Sequence, residues 1–154
     1  MTTHLVRPAA QRLPSVRRRR PRIRLDRRVV GSFFLFTGGV HVGIVAAEPG
    51  FYRHFADGAL LGFARSRWQD VFMAHPAVWG LVLAAAEVVL GLALLRGGGW
   101  ARLGWAGVIA FHLALMVFGW GFWLWSVPAL TLLIPAARHD LRGSAPLTRP
   151  SNPT

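Results

Sequence analysis

Three ionisable side chains lie in the middle of long apolar stretches, where burying a charge is expensive. Glu87 is the single acid in the apolar run Pro76–Arg96, His41 lies in the run Val29–Ala47, and His112 lies in a third run. At the helical rise of about 1.5 Å per residue, each lies about 14–18 Å from one end of its run. Since the hydrocarbon core of a bilayer is about 30 Å thick, all three are predicted to lie near its midplane.

Glu87 is the strongest candidate for chemistry. A carboxyl at the centre of a membrane helix costs roughly 2.5–3.5 kcal/mol on insertion scales, and such residues are functional by default. Glu87 could pass a proton or hydrogen-bond a ligand such as a quinone, together with His41 and with Thr37 on the same helix face. The alternative is structural: a protonated Glu87 shares a hydrogen bond with His41 or a backbone carbonyl.

Haem and metal are considered and not expected. His41 and His112 at equal depth could ligate a haem, or bind a metal ion together with Glu87. Two histidines without a second pair or an attachment motif are a weak signal for either group. The chain has no cysteine, which excludes disulfides and thiolate metal sites. No nucleotide loop or hydrolase motif is present, so no reaction is assigned and the question of an enzyme stays open.

Small residues indicate which helix faces point into the bundle. Gly80, Ala84 and Gly91 share one helical stripe with Glu87, and small residues mark helix contacts in membranes. In the third run, His112 shares a stripe with three other residues, while small residues lie nearly opposite. The stripe consists of Ala101, Trp105, Val108 and His112. The spacing therefore leaves open whether His112 faces the same neighbour as Glu87 or a different one.

Charge and composition exclude several classes of protein. A hydrophobic content of 53% and a mean hydropathy of +0.40 are high for a soluble domain. All 18 basic residues are arginine, and ten of them lie in the first 28 positions, directly before an apolar run. A basic cluster at that place indicates membrane topology and attraction to anionic lipid, so we do not expect nucleic-acid binding.

The predicted fold is all-α, an integral membrane four-helix bundle. The spans are predicted at about 29–47, 76–96, 100–118 and 121–137, so the membrane domain covers 29–137. The break between the last two is placed at Gly119-Trp120-Gly121, because 35 uncharged residues from 103 to 137 are too long for one span. Residues 1–28 and 138–154 are predicted to be disordered tails. The segment 48–75 is predicted to lie along the outer membrane surface, with a lid over a site as the less favoured alternative.

The distribution of arginine predicts the orientation. The N-terminal tail, the turn at 96–102 and the C-terminal tail are net positive, whereas the segment 48–75 is neutral. With four spans the positive segments lie on one side, and the positive-inside rule places both termini in the cytoplasm. A cleaved signal peptide ending near Ala47 is the alternative for the first run, but the run is longer than a usual signal core.

The pattern resembles the DoxX-like family of small four-helix bacterial membrane proteins. The residues that carry the likeness are FFLFTGGVH in the first helix, LVLAAAEVVLGLALL around Glu87, and ARLGWAGVIAFHLALM after a glycine-rich turn. The resemblance implies a bacterial plasma (inner) membrane protein associated with membrane redox complexes, including quinone-linked sulfur oxidation. Glu87 and the Gly38-Gly39/His41 segment are the positions that match.

The expected function is that of an accessory subunit of a quinone-linked membrane redox system, with a buried Glu/His site. A small transporter using the same polar site, or a structural assembly partner, are the alternatives. The expected partners are the lipid bilayer and either other membrane redox subunits or a second copy of the chain.

Overall fold

The computed structural model describes residues 26–143 of the chain. Within this range the protein is all-helical and has no strand. Four helices are long and apolar enough to cross a membrane, the third of them extended to Phe118 by a 3₁₀ turn. The helices are α1 (Arg27–Ala47), the short α2 (Gly62–Arg67), α3 (Pro76–Arg96), α4 (Gly99–Leu115) and α5 (Trp120–Gly143).

Local chemistry explains where the helices begin and end. The Asp26 side chain caps α1 by accepting a hydrogen bond from the Arg28 backbone N–H at 3.3 Å. Pro76 occupies the first turn of α3, where its missing N–H costs nothing. The chain reverses between α3 and α4 through Gly97 and Gly98, whose φ angles of 74° and 59° favour glycine.

Some boundaries differ from the sequence prediction. α1 begins at Arg27, so the last two residues of the predicted tail 1–28 are helical. The turn predicted at 96–102 is only Gly97 and Gly98, because α3 includes Arg96 and α4 starts at Gly99. α5 continues to Gly143, so 138–143 are helical and not part of a tail. The remaining residues of the predicted tails, 1–25 and 144–154, lie outside the described residues.

The extension of α5 has a tertiary cause. Asp140 accepts a hydrogen bond from Trp105 Nε1 at 2.9 Å and lies 3.5 Å from the Arg27 guanidinium. These contacts join the last turns of α5 to α4 and to the start of α1. The polar end of α5 is therefore held in helical form by other helices.

The four long helices pack in the order α1, α3, α4, α5 around the bundle, and α1 and α5 make few contacts with each other. α1 and α3 approach closely at glycines: a Cβ on Gly91 would lie 2.7 Å from the Gly31 carbonyl oxygen. Gly104 of α4 lies similarly close to Leu94 of α3. The main hydrophobic cluster comprises Val30, Phe34, Leu94, Ala101, Trp105, Val108, Leu133 and Ala137.

The bundle has two chemically distinct ends. We call the end with Arg27, the Gly97–Gly98 turn and Asp140 the terminal end. The opposite end, which carries residues 48–75 and Gly119, is the loop end. A Cβ on Gly97 would lie 3.1 Å from Arg27, and Leu60 N–H donates to the Val117 carbonyl at 3.1 Å, which places these segments at their respective ends.

Residues 48–75 form a folded cap on the loop end. The cap consists of a 3₁₀ turn at Pro49–His54, α2, and a π-helical turn at Trp68–Phe72. Four of its aromatic rings contact one another, those of Tyr52, Phe55, Trp68 and Phe72. Two of them also contact rings of the bundle: Trp68 contacts Phe118, and Phe55 contacts Phe122. The prediction of a segment lying flat along a surface missed this inward packing, which buries Tyr52 and Ala56 completely.

Candidate functional site

Glu87 lies on the face of α3 that packs into the bundle. Glu87 is 3% exposed, and Gly80, Ala84 and Gly91 on the same stripe are buried with it, as the spacing predicts. α1 comes close to this stripe because Gly38 has no side chain; a Cβ there would lie 3.0 Å from the Ala84 carbonyl oxygen. The close approach brings the polar residues of α1 beside Glu87.

His41 connects Glu87 to the cap. Its Nδ1 lies 2.6 Å from the Tyr52 phenol oxygen, and its Nε2 lies 3.7 Å from Glu87 Oε1. The two rings of His41 and Tyr52 are stacked, with centroids 5.7 Å apart. When the phenol donates its proton to Nδ1, the neutral imidazole carries its own proton on Nε2, which faces the carboxyl. The distance of 3.7 Å is longer than a hydrogen bond, so the two groups face each other without a tight bond.

Tyr52 is the site residue that the sequence prediction missed. It is completely buried, and a Cβ on Gly80 would lie 3.0 Å from its ring, so the missing side chain at Gly80 makes room for it. Burial, with the negative charge of Glu87 as a second cause, raises the pKa of the Tyr52 phenol above its usual value, which keeps it a proton donor to His41. The available signal was that this is the only tyrosine of the chain, 11 residues after His41.

His112 joins the same site from α4. The stripe predicted for α4 is buried, and His112 is 3% exposed. Its Nδ1 lies 2.8 Å from the Val108 carbonyl oxygen, which can only accept, so Nδ1 carries the proton and Nε2 is an acceptor. The sequence leaves open whether His112 faces the same neighbour as Glu87; in the structure both residues line one cavity.

This cavity has a volume of about 210 Å³, and we call it the polar cavity. Its polar groups come from the four predicted residues: Glu87, His41, His112 and Thr37. The remaining lining is apolar and largely aromatic, from Phe33, Phe34, Val40, Phe111 and Trp125. Thr37 Oγ1 also donates to the Phe34 carbonyl at 3.2 Å. Such a lining, aromatic with a few convergent polar groups, is typical of small-molecule sites.

One atom in this cavity wall lacks a partner. Glu87 Oε2 is buried and makes no hydrogen bond within residues 26–143. In that range the only other buried side-chain oxygen or nitrogen without a hydrogen bond is Ser126 Oγ. A buried polar atom without a partner costs about 1–3 kcal/mol, and more when it is charged. A carboxyl oxygen in this state beside a cavity is therefore placed to bond with a ligand or water.

No family model, curated protein or solved structure matches this chain. The resemblance to the DoxX-like family therefore stays a prediction. Function has to be inferred from the geometry of the polar cavity.

The histidine geometry bears on the metal and haem alternatives. In the described range, no three His, Asp or Glu side chains are grouped closely enough to hold a metal ion. Both ring nitrogens of His41 face protein groups, Tyr52 and Glu87, so haem ligation by His41 and His112 would require one of them to move. The arrangement instead offers a hydrogen-bonding site with both donors and acceptors.

The two histidines of the cap lie outside the polar cavity. His54 is exposed and pairs with Asp57 at 2.8 Å, and His75 is exposed at the start of α3. A larger groove of about 410 Å³ lies where the cap meets the bundle, lined by Trp68 on one side and Trp79 on the other, with Arg67 as its charged residue. It is open and has no buried polar group, so the polar cavity is the better candidate for chemistry.

Proposed function

We propose that this chain is a bacterial integral membrane protein of four spans that binds the head ring of a quinone in the polar cavity, as an accessory subunit of a membrane redox system. The observation that carries the proposal is the buried, unpartnered Glu87 Oε2 in the wall of an aromatic cavity. A site at mid-depth of a bilayer is reached most easily by a ligand that itself dissolves in lipid.

The chemistry of the cavity fits both redox forms of a quinone. The oxidised ring has two carbonyl acceptors, and the reduced ring has two hydroxyl donors. His41 Nε2–H supplies a donor and His112 Nε2 an acceptor, while the Glu87 carboxyl accepts when it is ionised and can donate when it is protonated. The rings of Phe34, Phe111 and Trp125 give a planar ligand faces and edges to stack against.

The size of the polar cavity sets the size of the head group. Ligand pockets for drug-sized molecules measure about 300–1,000 Å³. At about 210 Å³ the polar cavity suits a single ring system more than a large polar substrate. A transporter role receives no comparable support, since nothing in the described residues outlines a path from one end of the bundle to the other.

The membrane orientation is part of the proposal. The terminal end carries Arg27, Arg28, Arg96, Arg102, Arg138 and Arg142 against Asp26 and Asp140. The loop end carries three arginines and three acids, which balance. By the positive-inside rule the terminal end, and both termini with it, belong in the cytoplasm of a bacterium and the cap on the outer side of its plasma membrane.

The test is quinone binding to the purified protein in lipid nanodiscs. Menadione, a methylnaphthoquinone without a tail, quenches tryptophan fluorescence, and Trp125 lies in the cavity wall. Glu87→Gln should weaken this binding about tenfold, because a buried polar group left without its hydrogen bond costs about 1–3 kcal/mol and 1.4 kcal/mol is tenfold.

The matched control is Glu48→Gln, the same chemical change at an exposed carboxylate outside the cavity. It should bind menadione as the unaltered protein does. His41→Gln should weaken binding, and His75→Gln, at an exposed histidine, should not. Equal binding by the Glu87 and Glu48 variants, with both folded by circular dichroism, would overturn the proposal.

A further inference from the structure

We infer that the ligand of the polar cavity carries a long isoprenoid tail, and that this tail lies in an apolar groove between α1 and α5. The inference rests on the proposed function and names the class of quinone: one with a prenyl chain, taken up sideways from the bilayer. The observation behind it is a second cavity of about 290 Å³, which we call the tail groove.

The tail groove adjoins the polar cavity. The two share four wall residues, Phe33, Phe34, His112 and Trp125. Apart from His112, at the junction, the lining of the tail groove is apolar. A ligand in both spaces would therefore have one hydrogen-bonding end, among Glu87, His41 and His112, and one purely apolar end.

The groove runs towards the terminal end. On α1 its lining extends back from Phe34 to Val29, about 7.5 Å along the helix. On α5 it extends from Trp125 to Leu133, about 12 Å. An apolar space of about 12 Å along α5 has room for a short stretch of apolar chain and offers no second set of polar groups for a ring.

The packing of the bundle explains why the groove lies here. α1 meets α3, and α3 meets α4, through glycines that leave no free space. α1 and α5 touch little, and their contact includes the tilted rings of Phe33 and Trp125. Val29, Phe33 and Leu132 are exposed along this boundary, which in a membrane means that they face lipid chains. A ligand dissolved in the bilayer can enter along this boundary without crossing water.

The depth of the polar cavity selects the occupant. A phospholipid could place an acyl chain in the groove, but its charged head group must stay at the membrane surface. A prenylquinone has an uncharged polar ring and can place that ring at mid-depth with the tail along the groove. Occupation of the tail groove that depends on Glu87 therefore distinguishes a prenylquinone from a phospholipid.

Photolabelling in nanodiscs tests the inference. The probe is a methylnaphthoquinone with a geranyl-length tail that ends in a diazirine, and labelled peptides are mapped by mass spectrometry. We expect label in 29–33 of α1 and 128–133 of α5. Glu87→Gln should remove most of this label, because the ring is no longer held, while Glu48→Gln should leave it unchanged.

A second pair of variants isolates the tail. Leu132→Phe enlarges a residue of the groove wall and should weaken binding of the tailed probe more than that of menadione. Leu124→Phe makes the same change at an exposed leucine of α5 outside both cavities and should affect neither ligand.

The outcomes separate the two proposals. Glu87-dependent binding with label on the lipid-facing sides of α3 and α4 would overturn the tail groove and leave the proposed function standing. Label in the groove that is equally strong in Glu87→Gln would mean that any apolar chain enters it, which also overturns the inference. The absence of Glu87-dependent binding for both menadione and the tailed probe would overturn the proposed function itself.

Discussion

The site depends on three residues that come from three different parts of the chain. Tyr52 of the cap, His41 of α1 and Glu87 of α3 form a row in which the imidazole lies between a phenol and a carboxyl. The phenol determines which ring nitrogen of His41 carries the proton, and the imidazole then presents an N–H to Glu87. Tyr52 therefore acts as a positioning residue for the proposed ligand site, without touching the polar cavity.

The titration of Tyr52 tests this arrangement directly, because the chain has a single tyrosine and its phenolate absorbs in the ultraviolet. Burial and the charge of Glu87 raise the pKa of Tyr52, so the phenolate should form above the ordinary value of 10.0. The stability that the protonated phenol contributes is complete below pH 10.0 and is lost as pH rises through the pKa in the folded state.

Removing the carboxylate should lower this pKa. Glu87→Gln eliminates the second cause of the shift, so its phenolate should appear at a lower pH than in the unaltered protein, while Glu48→Gln should not change the midpoint. An alkaline absorbance titration of the three proteins gives the answer. A midpoint that does not move with Glu87 would show that the phenol and the carboxyl are not electrostatically coupled.

At the scale of helices, the glycine contacts between α1 and α3 hold the polar residues together. Gly31 and Gly91 bring the two backbones so close that a Cβ on either one would lie within 2.9 Å of the other's carbonyl oxygen. This approach, with that at Gly38, places His41 and Thr37 next to Glu87. The close contact is rigid because the opposing atoms belong to backbone and cannot rotate away.

Gly91→Ala should therefore destabilise the protein by about 1–3 kcal/mol, the usual cost of adding a methyl group to a packed contact. Gly39→Ala is the matched control, since a Cβ there meets no atom within 4 Å. It should be neutral, or stabilising by up to about 1 kcal/mol through helix propensity. Unfolding in a mixed-micelle denaturant series measures both. Equal stability of the two variants would contradict the contact between α1 and α3.

The helices could be predicted from the sequence far better than the cap. Apolar length and small-residue stripes are local properties, so the burial of Glu87 and of the His112 face follows from spacing alone. The role of Tyr52 could not be predicted, because its burial requires the space at Gly80 on a helix 28 residues away. The helical end of α5 could not be predicted for a similar reason. The residues around Asp140 are polar like a tail, and they are helical because Asp140 contacts Trp105 and Arg27 on other helices.

At the scale of the whole molecule, the order of helices determines what the site can reach. α3 lies between α1 and α4, so Glu87 is shielded on both sides, while the little contact between α1 and α5 leaves one boundary for entry. The sequence indicated that His41, His112 and Glu87 lie at equal depth, but depth does not specify which helices are neighbours. The packing of α4 against α3 brings His112 into the polar cavity beside Glu87.

The charge difference between the two ends gives a prediction for the molecule in its membrane. Six arginines against two acids mark the terminal end in the described range, while the loop end is balanced. Green fluorescent protein fused after Gly143 should fluoresce in a bacterial host, and alkaline phosphatase at the same place should be inactive. Alkaline phosphatase inserted between Gly58 and Gly62 of the cap should be active, because the proposed orientation places the cap on the outer side. An active phosphatase at both places would mean that one of α3, α4 and α5 does not cross the membrane, and an active phosphatase after Gly143 alone would overturn the proposed orientation.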